Sequence, residues 1–446
     1  MAPAPHFLRE IRPTLTLAAP IIVGQVSQML MGVTDSAMIG HAGTVPLAAS
    51  AFGNNVFNIF YVVGIGLMIP VSILVARARG ADQPAEASEF LRHGFALALA
   101  FGLLETIAMA VLGTQLGRFD QPPEVLAIVR PFYLFYAASL VPVLVYLVLR
   151  QFAEAMGHPW APMFIMLGSV AVNVGLNWVF IYGHLGVPAL GLTGAGIATL
   201  ISRTLGALVI FMWLRRDARV RAAWPRRWFG GYSRARFWEM IHLGLPAAGM
   251  LLFEATAFAF SGIMIGWLGA VPLAAHQIAI SCASMAFMFP LGLSMAAGMR
   301  VSHAVGAGER PRLRAIAFGA IGVGLAIMGV FALSFGLAGN MIASWFVREE
   351  AVIVLAAQLL FVAAFFQLVD GVQVIAAAVL RGISDVKVPA IITLVAYWGL
   401  ALPLSYLLGI RGSFGAQGVW MGIALGLAFA AVFLAVRFAR LTRLNA

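Results

Sequence analysis

Four carboxylates interrupt long apolar runs of the chain: Asp35, Glu105, Glu254 and Asp370. At the centre of a bilayer a carboxylate costs about 2.5–3.5 kcal/mol on insertion scales, so such a residue is expected to face a cavity or a partner. Asp35 shares a spacing of 0, 3, 7 and 10 with Gln25, Gln28 and Gly32, which is one face of a helix. The competing reading is a buried acid satisfied by its neighbours. Asp370 lies in FFQLVDGVQV, on a stripe with Gln367 and Gln373, and Glu254 lies mid-run in LLFEATAF. Counted from the basic ends of their helices, Glu254 and Asp370 are roughly 21 and 16 Å deep at 1.5 Å per residue. Two acids sharing one site cannot both ionise cheaply. Either one holds a proton or both hold a cation such as Na⁺. That is the chemistry an ion-coupled carrier needs.

Asn173 and Asn177, in AVNVGLNW, are four apart and face one way. They are candidates to offer neutral oxygens to a cation beside Asp35, or to hydrogen-bond between helices. Tyr136, Phe258, Phe287 and the Met-rich run from Met285 to Met299 suit an adaptable apolar cavity, the alternative being core or lipid-facing positions. Glu105 and Arg203 stand at similar depth, roughly 20 and 18 Å. The second half of the chain lacks both charges, which predicts a mutual ion pair between their helices. The alternative has Arg203 facing a cavity and Glu105 coupling protons.

The elements that carry these residues are membrane spans. Of 446 residues, 62% are apolar and only 10% charged, far below the roughly 25% charged residues of a soluble domain. A spanning helix needs about 20 mostly apolar residues. Twelve segments qualify: 13–39, 47–75, 93–115, 125–149, 160–182, 190–214, 238–267, 272–298, 315–337, 350–379, 389–410 and 416–437. The fold class is therefore all-α, a polytopic membrane protein. The net charge of +11 does not mark a nucleic-acid binder, because the basic residues lie in short loops between apolar runs. They crowd onto one side, with eight arginines between 215 and 236 alone. That side is expected to be cytoplasmic, with both termini on it. Residues 1–13 show no removable signal peptide. The single cysteine, Cys282, excludes a disulfide within the chain.

The halves repeat. VPLAA occurs at 45–49 and again at 271–275, an offset of 226. The same offset aligns Pro20 with Pro246, Gly40 with Gly266, Gly43 with Gly269 and Gly66 with Gly292. It also aligns Gln28 with Glu254 and Asp35 with Ser261. Near the end of each half, Gly191-x-x-Gly194 matches Gly415-x-x-Gly418. Six spans return the chain to its starting side, so the repeats run parallel, as in carriers that alternate access between two lobes. The domains expected are an N-terminal lobe (1–214), a basic linker (215–237) and a C-terminal lobe (238–446). Gly418, Gly422 and Gly426 have the small-residue spacing that lets helices pack closely. No Walker A, HExxH or cofactor fingerprint is present, so an enzyme is not expected and no cofactor is called for.

Taken together, four stretches resemble the multidrug and toxic compound extrusion family, in its NorM-like bacterial branch. They are APIIVGQVSQMLMGVTDSAMIGHAG, PLAAHQIAIS, LLFEATAF and FFQLVDGVQVIAAAVLRGISDVKVP, and the resemblance extends over nearly the whole chain. It implies a monomeric exporter of cationic amphipathic drugs in a bacterial inner membrane, exchanging cargo for Na⁺ or H⁺ in a cavity between two lobes. It implies cation coupling at Glu254 and Asp370, with Asp35 as the helix 1 acid. Asn173, Asn177 and Thr199 would be the polar groups near Asp35. Some relatives carry a second acid on helix 5, where this chain has Asn177. Glu105 and Arg203 have no counterpart in the family pattern. The alternative within the broader superfamily is a flippase for lipid-linked saccharides, which would favour a cationic cavity over one richer in acids. A channel or receptor is disfavoured by the paired repeat and the mid-membrane acids.

Overall fold

The computed structural model describes residues 6–119 and 122–443, and among these no strand occurs. Twelve helices are long and apolar enough to cross a membrane. In chain order they are α1 (His6–His41), α2 (Thr44–Gly80), α3 (Pro84–Gly113), α4 (Pro123–Ala155), α5 (Trp160–Tyr182) and α6 (Gly191–Arg216). The second half gives α7 (Arg234–Gly266), α8 (Ala270–Gly306), α9 (Arg312–Ser344), α10 (Glu350–Gly382), α11 (Lys387–Arg411) and α12 (Gly415–Arg443). All twelve expected spans are present. The residues 1–5 and 444–446, on which the leader and terminus readings partly rest, lie outside those described.

Two of the helices are broken where backbone donors are missing. Proline has no N–H, so Pro142 leaves the carbonyl four residues earlier without its helical partner, and α4 turns at Ser139. In α11, Pro403 lies between two wide-turned π segments, Val395–Ala401 and Tyr406–Arg411. Such segments re-aim side chains and often accompany functional sites. The first of them carries Tyr397.

The chain forms two compact units. One holds residues 26–248; the other holds the described residues up to Gln25 together with Gly249 onward. Each has its own apolar core. In the first, Phe57, Met109, Tyr133 and Leu140 are central. In the second, Ile265, Leu359, Tyr397 and Trp420 are. The start of α1 thus packs with the second half of the chain, and the start of α7 with the first half.

The repeat offset recurs in the contacts. Gly43 and Gly269 open α2 and α8 with φ of 137° and 116°, a backbone conformation that side chains rarely allow. A Cβ on Gly66 of α2 would meet the Ala248 Cα of α7 at 2.2 Å. A Cβ on Gly292 of α8 would meet the Ile22 Cα of α1 at 2.9 Å and its Cγ1 at 2.6 Å. The two crossings are mates at offset 226, one in each unit. The Gly418, Gly422 and Gly426 stripe is likewise a packing face. A Cβ there would come within 2.5, 2.3 and 2.5 Å of α11.

The basic stretch after α6 is folded onto the first unit. Asp217 accepts the Arg219 backbone N–H at 3.0 Å and starts a short 3₁₀ turn, Ala218–Ala223. Hydrogen bonds from Arg219 hold the Asp217 carboxyl below the usual carboxylate range. Trp224 and Trp228 pack on Phe211, and Arg92 donates to the Gly230 and Gly231 carbonyls.

Because backbone rather than a flexible side chain opposes Gly66, Gly66→Ala is expected to cost about 1–3 kcal/mol. Gly168 of α5, with nothing within 4 Å of its added Cβ, is the control. Thermal unfolding in detergent should show a clear loss for Gly66→Ala and none for Gly168→Ala. Equal melting temperatures would contradict the close crossing.

Candidate functional site

Buried charge divides this chain into paired and unpaired groups. Arg150 and Glu154, one turn apart on α4 and 3% and 2% exposed, hydrogen-bond at 2.7 Å. Near the start of α1, Glu10 accepts hydrogen bonds from Arg300 and Arg312. The four mid-span carboxylates make no ion pair among the described residues.

In the first unit, α1, α2, α4, α5 and α6 enclose a cavity of about 310 Å³. Asp35 lies on its wall. The Asn177 amide donates to Asp35 Oδ1 at 2.6 Å and to Asn173 Oδ1 at 3.2 Å, and Asn173 donates to Ser202 Oγ at 3.4 Å. Both asparagines are fully buried. A carboxylate only accepts, so Asn177 must present its NH₂ to Asp35. Of the two roles expected of the asparagines, hydrogen bonding between helices is present, and Asn177 Oδ1 has no partner. Asn177 therefore supports charge on Asp35 as a donor. Gln28 donates to the Tyr61 hydroxyl at 2.7 Å, and both line the cavity. Thr199 is buried beneath the lining, its carbonyl accepting from Ser202 Oγ.

The expected ion pair between Glu105 and Arg203 does not form. Glu105 is 6% exposed, pressed against Gly64 of α2, and neither of its carboxylate oxygens has a hydrogen-bond partner. Arg203 faces the cavity instead. It donates to Ser139 Oγ at 2.6 Å, at the break in α4, and more weakly to the Tyr136 hydroxyl at 3.5 Å. Its guanidinium lies 4.7 Å over Phe57 and 4.9 Å over Tyr136. Similar depth on two helices fixes height in the membrane but not rotation about each axis. That rotation separates the pair.

In the second unit, Glu254 of α7, Asp370 of α10 and Tyr397 of α11 lie within electrostatic reach of one another. Arg381 also acts on Glu254. Asp370 is 3% exposed, and its Oδ1 has no partner. The same holds for Gln367 Oε1 and Gln373 Oε1, both buried. The Gln367 amide donates to the Ala283 carbonyl at 3.2 Å, which leaves its oxygen free. Phe258 closes one side against Phe366 and Tyr397. Phe287 is half-buried on α8 and makes no ring contact among the described residues. The unpartnered atoms are oxygens, the donor set of a proton or a hard cation. No group of three or more His, Cys, Asp or Glu side chains forms a transition-metal site among the described residues.

The MatE family model matches residues 20–179 and 246–407. The chain belongs to the MatE family. Multidrug resistance protein NorM of Burkholderia vietnamiensis is 35% identical, over 98% of this chain and 95% of that protein. A probable multidrug resistance protein NorM of Mesorhizobium japonicum is also 35% identical, over 99% and 96%. Among solved structures, a mutant of the Vibrio cholerae MATE transporter VcmN superposes with a TM-score of 0.90 at 20% identity, over 98% of each chain. An outward-facing multidrug resistance MATE family transporter superposes with a TM-score of 0.90 at 22% identity, over 97% and 96%. A MatE chain with twelve spans is a multi-pass membrane transporter, not an enzyme.

Sequence reasoning missed the α2 wall of the first cavity. Asn54, Asn58 and Tyr61 line it at a spacing of 0, 4 and 7, a helical face that would have marked it. Tyr397 carried no such signal.

Since Glu105 and Arg203 do not touch, Glu105→Gln and Arg203→Leu should have stability effects that add to within about 0.5 kcal/mol in the double mutant. Unfolding of the two singles and the double in detergent measures the coupling. A large interaction energy would restore the pair.

Proposed function

We propose that this MatE protein exports cationic amphipathic drugs by exchanging them for Na⁺ or H⁺. The transporter would sit in a bacterial inner membrane with both termini cytoplasmic, work as a monomer, and alternate access between its lobes as parallel-repeat carriers do. The observation that carries this reading is the Glu254–Asp370 cluster, two buried carboxylates that act on each other and make no ion pair, with Asp370 Oδ1 unpartnered. Charging both acids without a counter-ion is unfavourable in a buried site. A proton, a Na⁺ ion or a cationic drug each relieves that repulsion, and only one need be present at a time. Exchange follows from that competition. Glu254 and Asp370 would hold the coupling cation, with Tyr397, Gln367 and Gln373 as neutral oxygens around it. Asp35, held by Asn177, would act separately in the first unit. The NorM names of the most similar relatives support drug export as the transport task.

The decisive measurement is dye efflux from vesicles containing the purified protein under imposed Na⁺ or H⁺ gradients. Glu254→Gln and Asp370→Asn should each reduce gradient-driven efflux by about tenfold or more, as expected for losing a charge-assisted interaction, while leaving the melting temperature near that of the parent. Normal efflux in either variant would overturn the coupling assignment. Transbilayer movement of a fluorescent lipid with no dye efflux would favour the flippase reading.

For Asp35, the expectation is a separate defect. In direct ion-binding measurements, the effects of Asp35→Asn and Glu254→Gln should add to within about 0.5 kcal/mol. A strong interaction term would mean that one cation answers to both acids.

A further inference from the structure

The basic segment between α6 and α7 is pinned at several points. Trp224 and Trp228 pack against each other at 5.0 Å, and each packs on Phe211 of α6 at 5.3 Å. Trp228 also meets Phe95 of α3 at 4.8 Å. The chain then turns at Gly230 and Gly231, whose carbonyls accept from Arg92, and the Ser233 N–H donates to His93 Nε2 at 2.9 Å. The outward side of the segment is cationic. Between 215 and 239 stand eight arginines against Asp217 and Glu239. Asp217 is taken by Arg219, and Arg236 lies over Phe90. Arg226 and Arg227 are exposed and make no ion pair or hydrogen bond among the described residues. Beside them Phe229 is 69% exposed, and Trp238, near the start of α7, is 48% exposed.

Orienting the spans requires only that positive charge stay on one side, and a slack loop would supply that. It does not require two tryptophans to anchor the segment, or a phenylalanine ring held out among arginines, where water is an unfavourable neighbour for it. Phe211 lies five residues before the end of α6 at Arg216, roughly 7.5 Å at 1.5 Å per residue. The polar headgroup layer is about 5–7 Å thick on each side of the hydrocarbon core. Anchoring on Phe211 therefore sets the segment beside the headgroups, where aromatic rings settle and where clustered arginines meet lipid phosphates. We propose that this segment is a binding site for anionic phospholipids. Arg226 and Arg227 hold the headgroup phosphate, and Phe229 and Trp238 lie against the glycerol and the upper acyl chain. An arginine fork matches two phosphate oxygens at once. A headgroup with net negative charge answers the unpaired arginines, whereas the choline cation of a zwitterionic lipid opposes them. The site needs neither the export reading nor a coupling ion.

The test uses full-length protein in detergent, titrated with phosphatidylglycerol or phosphatidylcholine, with bound lipid counted by native mass spectrometry. The parent should hold phosphatidylglycerol about tenfold or more tightly than phosphatidylcholine, and added salt should erode the difference. Arg226→Gln combined with Arg227→Gln should weaken phosphatidylglycerol by about thirtyfold, at about fivefold for each arginine near an anionic surface. Phosphatidylcholine should change by less than about threefold. The charge-matched control is Arg440→Gln combined with Arg443→Gln, two exposed arginines without partners near the end of α12. That control should change phosphatidylglycerol by less than about threefold. Phe229→Ser should weaken phosphatidylglycerol while leaving the salt dependence of the remaining binding as it was. Arg226→Lys combined with Arg227→Lys, which keeps the charge without the fork, should fall between and serves if the glutamine pair does not fold. Equal weakening by the glutamine pair and its control would overturn the proposal, since net charge alone would then account for the binding. Equal affinity of the parent for the two lipids would overturn it as well. Displacement of phosphatidylglycerol by inorganic phosphate at equal concentration would do the same, by showing a site for a soluble anion.

Discussion

The repulsion between Glu254 and Asp370 sets the terms for the rest of the molecule. Two unit charges 4 Å apart interact by about 4 kcal/mol at an effective dielectric of 20, against about 1 kcal/mol in water. A buried pair of acids therefore cannot be left to solvent. Arg381 and Tyr397 both act on Glu254, yet Asp370 Oδ1 keeps no hydrogen-bond partner. A site built this way has different energies with and without a bound cation. That difference is what a carrier needs in order to favour one conformation over another. Holding such a site in shape needs rigid walls. The glycine stripe of α12 provides one, by letting α11 approach to backbone contact.

The charges that are paired make the contrast clear. Arg150 and Glu154 are as buried as Asp370, but they satisfy each other one helical turn apart. Glu10 is held by two arginines. Breaking such a pair exposes a bare charge and costs about 3–5 kcal/mol, so these groups brace the structure and are poorly suited to exchanging a ligand. Asp35 is intermediate. One amide donor steadies it, and its remaining surface faces a cavity. Glu105 belongs to neither class. It is a buried carboxyl without donor or cation, and it contacts Gly64.

How much of this could be read in advance follows from what a helix preserves. Spans depend on length and apolar content, and all twelve were legible. Residues three, four or seven apart share a face in any straight helix, so Asn173 and Asn177 lie on one face, and so do Gln367, Asp370 and Gln373; that Asn177 meets Asp35 was implied by the resemblance and not by spacing. Which atoms of a side chain point at a neighbour is not periodic, so spacing left two roles open for Asn177, and the amide presents hydrogen to Asp35. Contacts between helices depend on rotation about each axis. Glu105 and Arg203 matched in depth and in their absence from the other half, and they still do not meet. Tyr397 was hidden for another reason. It lies in a π segment beside Pro403, where the 3.6-residue period no longer holds. The start of α1 was equally hidden, because its packing with the second half depends on where a long helix runs after it leaves one core.

The repeat offset separates what the two units share from what each has made its own. The crossings at Gly66 and Gly292, and the turns at Gly43 and Gly269, are mates in position and in geometry. Backbone approaches this close admit almost no substitution, so they are the part of a duplicated scaffold least free to change. The charges within the spans have no such restraint, and neither the four mid-span acids nor Arg203 has a charged mate. Asp35 faces Ser261 across the offset, Glu254 faces Gln28, and Asp370 faces Leu144. With the offset of 224 that aligns the ends of the halves, Arg203 faces the buried Leu427 and Asn173 faces Tyr397. The second unit keeps two acids, with Tyr397 and Arg381 in their reach. The first keeps one acid, donates to it, and sets a guanidinium in the same cavity. Two sites of the same sign of charge in both units would be redundant answers to one cation. An acidic site and a dipolar one, carried on matched frames, can bind different things while moving by the same helix geometry. Coupling between cargo and ion requires that much: two chemistries and a common mechanical response.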